Sequence, residues 1–206
     1  MRHLALTLAL FAFPMLSHAI EEPDFEVLRR VGDVEVRQYA PYIVAEVFIP
    51  GPADGAVSDA GNAAFPILAG YIFGKNKGAR TFAMTAPVTQ TPVPVRLPMT
   101  APVTQSAAAG GHLVQFVLPK GLALADAPEP VDERVRLREV PARRLAAITY
   151  SGFWSVANDR EHLDKLTDAL RAANLAWTGE PVYSRYNAPF TPWFLRRNEI
   201  WLTLTP

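Results

Sequence analysis

The segment Ser184–Leu202, SRYNAPFTPWFLRRNEIWL, gathers side chains suited to surface chemistry. Phe190, Trp193 and Phe194 lie among Pro189 and Pro192, with Arg196 and Arg197 behind them. Three aromatics in a proline-stiffened loop are hard to bury together. Beside two arginines they suit an apolar ligand that carries acid groups; packed as a cap over a sheet edge, they would do no chemistry. A second segment, FPILAGYIFGKNKGAR (65–80), runs an apolar helix into glycine and then into Lys75, Lys77 and Arg80. It reads as a core helix with a solvated basic loop, or as a second wall for the same ligand. The heptapeptide MTAPVTQ occurs twice, at Met84–Gln90 and Met99–Gln105. Either two neighbouring strand ends are each stopped by proline, or Met84 and Met99 put polarizable thioethers into a pocket wall.

Acid–base chemistry has one candidate, Glu199 on the last expected strand. A buried glutamate with a raised pKa serves as general acid or base, whereas an ion pair with Arg196 or Arg197 would silence it. The chain lacks Gly-x-Ser-x-Gly, His-Glu-x-x-His, a phosphate loop and a dinucleotide fingerprint. It also has no cysteine, which excludes disulfides, thiolate haem ligation, cysteine zinc sites and cysteine catalysis.

Residues 1–19 read as a secretory signal: Met1-Arg2-His3, an apolar run from Leu4 to Leu16, then Ser17-His18-Ala19. Cleavage is expected after Ala19, giving a periplasmic or secreted protein without a stable membrane anchor. Removing Arg2 leaves 19 basic against 20 acidic residues, a balance that argues against nucleic acid as a partner. His112 and His162 are then the remaining histidines, and each reads as a surface or satisfied side chain rather than an iron ligand.

What must position these residues is a duplicated domain. VEVRQYAPYIVAEVFIPG (34–51) and VRLREVPARRLAAITYSG (135–152) align at an offset of 101, matching Val34 with Val135, Arg37 with Arg138 and Gly51 with Gly152. The expected strands are 25–31, 34–39, 42–49, 80–85, 99–103, 112–118, 135–140, 143–150, 182–187 and 199–204. Helices are expected at 54–73, kinked or restarted at Pro66, and at 158–173, opened by an Asn158–Glu161 capping box and buried through Leu163, Leu166, Leu170 and Ala173. Loops are expected at 106–111 and, without a core signal, at 122–130. The fold class is α+β: two ββαββ-type halves, about 25–119 and 131–206, forming one domain (20–206) with a curved antiparallel sheet or distorted barrel and two outer helices.

The pieces FEVLRRVGDVEVRQYAPYIVAEV, LAGYIFGKN, the MTAPVTQ pair, VRLREVPARRLAAITYSG and RYNAPFTPWFLRRNEIWL together resemble the SOUL/haem-binding protein family. The resemblance implies an effector-binding-like fold and a haem or related porphyrin held mainly by hydrophobic contact, reversibly and without strong axial ligation. It places that ligand against 62–73 and 188–193. Phe65, Leu68, Ala69, Ile72, Met84, Phe190 and Trp193 would then supply apolar contact, and Lys75 and Arg196 would meet the propionates. The expected role is carrier, buffer or scavenger, with no enzymatic activity. A hydrolase using Glu199 and a protein-interaction module stay open as alternatives.

Overall fold

The computed structural model describes residues 21–51, 57–78, 100–188 and 190–205. The chain runs β1 (Phe25–Val31), β2 (Val34–Tyr39), β3 (Tyr42–Pro50), α1 (Val57–Ile72), β4 (Val103–Ala108), β5 (Gly111–Val117), β6 (Arg136–Val140), β7 (Arg143–Tyr150), α2 (Val156–Ala172), β8 (Trp177–Arg185), a short 3-10 turn (Trp193–Leu195) and β9 (Asn198–Leu204). All nine strands join one antiparallel, curled half-barrel sheet in the order β1-β2-β7-β9-β8-β4-β5-β3-β6.

That order carries the duplication. Exchanging β2 with β6, β3 with β7, β4 with β8 and β5 with β9 reverses the run from β2 to β6 onto itself, so a pseudo-twofold axis passes between β8 and β4. The register obeys the same exchange: Arg37 stands opposite Leu145, and its repeat mate Arg138 stands opposite Val44. The first half therefore lends β2 to the second and the second lends β6 to the first, so neither half closes its sheet alone.

Both helices lie on one face. Under α1, Ala64, Leu68 and Ile72 meet Ala45, Val114 and Phe116. Under α2, Leu166 and Leu170 meet Val36, Ala146, Ile200 and Leu202. Period-two alternation sends the intervening residues to the opposite face, where Tyr39, Leu145, Ala147, Tyr186 and Trp201 form a third cluster.

Several expectations shift. The 54–73 helix begins its described part at Val57 and runs continuously through Pro66, with no restart there. Ser155, not Asn158, caps α2, accepting from the Asn158 backbone N–H at 3.3 Å. Asn174 follows the helix with φ 52°, the left-handed conformation expected of it. The strand expected at 99–103 begins where that range ends, and the supposed loop 106–111 holds the end of β4 and the turn into β5. Pro102 thus precedes a strand rather than stopping one; the first MTAPVTQ copy and the strand expected at 80–85 lie outside the described residues. The 122–130 segment is attached to the core after all. Leu122 and Ala127 pack beneath α1, and the Tyr71 hydroxyl donates to the Pro128 carbonyl at 2.9 Å. Its anchors are isolated residues without periodicity, which is why no pattern reveals it.

Within 106–111, Gly111 answers a close approach. A Cβ on Gly111 would stand 2.3 Å from the Ile49 carbonyl oxygen and 2.7 Å from the Phe48 ring. Backbone cannot rotate away, so Gly111→Ala is expected to destabilise by about 1–3 kcal/mol, read as a lower urea midpoint at unchanged slope.

Candidate functional site

Two sites emerge, one on each face of the sheet. The first is an aromatic surface built from two loops, 151–156 before α2 and 186–197 before β9. The Gly152 N–H donates to the Trp193 carbonyl at 3.0 Å and fastens one loop to the other. Phe153 stacks on Trp193 with centroids 5.3 Å apart, and Phe194 meets Trp193 edge-on at 5.5 Å. Phe153, Val156, Trp193, Phe194 and Leu195 are all exposed, and Phe190 is 90% exposed. Phe153, Trp193 and Phe194 thus form one contiguous exposed aromatic cluster. Trp154 turns inward instead. Its Nε1 donates to Asn198 Oδ1 at 2.8 Å, and the Arg196 guanidinium lies 4.4 Å above its ring. Arg196 Nε also donates to the Thr191 carbonyl at 2.8 Å, so the cation is held within the loop.

Of the residues expected from sequence, Phe190, Trp193 and Arg196 share this surface. Phe65 stands on α1, 40% exposed, with its ring edge-on to Phe116 at 5.5 Å. On the helix face, Phe116, Val103, Arg185 and Asn198 form one cross-strand row. That row spans three strand spacings, about 14 Å, from the partner of Phe65 to the partner of Trp154. Leu68, Ala69 and Ile72 point into the core beneath α1, so their apolar contact goes to the sheet. Lys75 is exposed at the end of α1, where its carbonyl accepts from the Val131 N–H; that end faces the approach to β6, the sheet's far edge, and not Arg196. Met84 lies outside the described residues. Sequence reasoning missed Phe153, Trp154 and Val156. The signal was there, in an FWSV run around the Ser155 cap, but nothing in sequence linked it to a loop some 40 residues on.

The second site surrounds Glu199, fully buried on the opposite face. Its Oε1 accepts from Arg37 Nη2 at 3.1 Å, Thr149 Oγ1 at 3.1 Å, and Arg197 Nε and Nη2 at 3.1 and 2.8 Å. Its Oε2 accepts from Arg37 Nη1 at 2.9 Å, the Tyr186 hydroxyl at 2.8 Å and Trp201 Nε1 at 2.7 Å. Outer carboxylates complete the chain of charges: Glu35 on Arg37 at 2.8 Å and Glu22 on Arg197 at 2.7 Å. Burial alone would raise the Glu199 pKa, but the hydrogen bonds and charge of Arg37, with Arg197 behind, pull it below the usual carboxylate value. The raised pKa that acid–base catalysis needs is therefore absent, and every lone pair is already engaged. Arg197 is the partner expected from sequence; Arg37, from the other half of the chain, was not foreseen. Burial likewise pushes the Tyr186 hydroxyl well above its ordinary range, with the Glu199 charge adding to the effect.

The two histidines take bland positions. His112 is buried on β5. The His162 ring stacks on Tyr150 at 4.2 Å, with Nδ1 2.8 Å from the Asn158 carbonyl. Among the described residues no group of three or more His, Asp or Glu side chains could hold a metal ion, and no helix is long and apolar enough to cross a membrane.

Residues 20–203 match the SOUL heme-binding protein family, and the chain belongs to it. That family is heme-binding rather than catalytic. No curated protein matches the chain. Among solved structures, the EcmrR C-terminal domain is similar with TM-score 0.57 at 12% identity, covering 84% of this chain and 96% of that one. EcmrR in its DNA complex gives 0.57 at 10% identity, and the match covers 83% of this chain but 56% of that longer chain. A hydrolase from Listeria innocua gives 0.53 at 10% identity, covering 84% and 92%. At these identities the likeness is one of fold, an effector-binding-like architecture.

Proposed function

We propose that the chain is an exported carrier, buffer or scavenger that binds haem or a related porphyrin reversibly through apolar contact. The family supports tetrapyrrole binding. The observation that carries the finer reading is the exposed aromatic surface at Phe190, Trp193 and Phe153, with Arg196 stacked behind it. Flat aromatic side chains suit a flat apolar macrocycle, and a guanidinium suits a propionate. Phe65 offers a second apolar contact across the Phe116–Asn198 row. Leu68, Ala69 and Ile72 act one step back by seating α1, while Lys75 stands ready for a more distant acid group. Met84 is proposed as an apolar contact on sequence grounds alone. Binding without a strong axial bond is supported by the lack of cysteine, the burial of His112 and the stacking of the His162 ring on Tyr150. Removal of residues 1–19 and delivery to the periplasm or beyond belong to the same reading.

Contact area is sufficient for such binding. Micromolar affinity corresponds to about 8 kcal/mol, which about 330 Å2 of buried apolar surface supplies at about 25 cal/mol per Å2, before the cost of association is subtracted. Titrating haem into the protein from residue 20 onward is expected to shift the Soret band saturably. His162→Ala is expected to leave the titration unchanged, whereas its loss in that variant would overturn the contact-only reading. The hydrolase alternative gains nothing from the saturated Glu199.

A further inference from the structure

The duplication exposes a pocket that the haem reading does not use. At the 101-residue offset Phe48 corresponds to Thr149, Arg134 to Asp33 and Arg136 to Glu35. The register extends the correspondence: Phe48 pairs with Leu113 as Thr149 pairs with Glu199. The smaller cavity, about 360 Å3, is lined by Asp33 and Glu35 from the first half and by Thr149 from the second. The larger one, about 540 Å3, is lined by Glu46, Phe48 and Leu113 from the first half and by Glu133, Arg134 and Arg136 from the second. Equivalent places in the fold thus carry opposite chemistry. At the matched lining positions two guanidiniums stand in place of two carboxylates, and a phenyl ring in place of a hydroxyl.

The charges around the larger pocket sort clearly. Glu46 is occupied, accepting from Gln115 Nε2 at 2.8 Å and Arg138 Nε at 3.1 Å. Arg134 is held by Asp132 at 2.6 Å. Glu133 sits in the turn before β6, three residues from Arg136. Arg136 is exposed and stands cross-strand from Glu46, whose carboxylate is taken by Gln115 and Arg138, so the guanidinium makes no ion pair among the described residues. Beside it Phe48 is 43% exposed and Leu113 is half-buried. An apolar floor with one uncommitted guanidinium at its rim is complementary to an apolar body bearing one anion.

We propose that this pocket binds small amphipathic monocarboxylates, with the apolar body on Phe48 and Leu113 and the carboxylate on Arg136. The test is a 1H–15N NMR titration of the protein from residue 20 onward with 4-phenylbutyrate, run beside the uncharged 4-phenylbutanamide. Saturable shifts are expected at the Phe48, Leu113 and Arg136 amides, with the resonances of 190–196 unmoved. The amide analogue and Arg136→Gln are each expected to bind about tenfold more weakly, as loss of a charge-assisted hydrogen bond implies. Phe48→Thr restores the second half's own residue in a strand that tolerates it and is expected to abolish the shifts while the spectrum stays folded. Equal binding of acid and amide, shifts confined to 190–196, or no shift at millimolar ligand would each overturn the proposal.

Discussion

Arg37→Leu is expected to destabilise the protein by about 3–5 kcal/mol, the usual cost of removing one partner from a buried ion pair. The guanidinium is 3% exposed and makes two bonds to a carboxylate that is itself fully buried. Without it Glu199 keeps Arg197, whose bonds reach only Oε1, and Oε2 is left to two neutral donors, Tyr186 and Trp201. Urea unfolding checks the size of the loss; a change below about 1 kcal/mol, the range of exposed pairs, would sink the picture of a buried hub. The same hub sets an acid limb. Glu199 has a folded pKa below its ordinary 4.5, so its contribution is present in full above 4.5 and is lost as pH falls through the folded value. Glu199→Gln is expected to start less stable, because two guanidiniums lose their counter-charge, and to show a shallower decline below pH 4.5.

Phe190→Ala is expected to weaken haem binding about 5- to 30-fold, the range for a side chain worth 1–2 kcal/mol at an interface. Its 90% exposure means that little folded-state packing is lost, so the urea midpoint should stay in place. This separates a ligand contact from a structural effect, which Leu68 cannot do because it is wholly buried beneath α1. Adding Trp193→Ala is expected to bring the loss to about 100-fold with a small fall in stability, since Trp193 stacks on Phe153. A Soret titration that both variants leave unchanged would move the ligand away from this loop.

Much of the fold was legible. Alternation marks β2, whereas β3 and β7 are legible as apolar runs because the sheet buries consecutive side chains there on both faces. The 101-residue offset revealed two halves because both keep the same inward-facing residues. The small residues of β4 misled, since a run of Ser, Ala and Gly reads as a loop although it holds a strand end and the turn into β5. The site was half legible for the same reason. Phe190, Trp193 and Arg196 are adjacent in sequence, so one loop displays them together. Phe153 and Trp154 reach that loop only through the Gly152–Trp193 bond.

The amino-acid order by itself determined the halves, the strands with clean alternation and the aromatic loop, because each is written in local periodicity or composition. Only the tertiary structure decided that the halves exchange β2 and β6, since pairing partners leave no local trace. That exchange carries Arg37 across to β7, from which it reaches Glu199, 162 residues away in sequence. A carboxylate that looked available for catalysis is thereby saturated. The same geometry decided which apolar residues of α1 meet the sheet and which face outward, because the rotation of a helix about its axis is set by what lies beneath it.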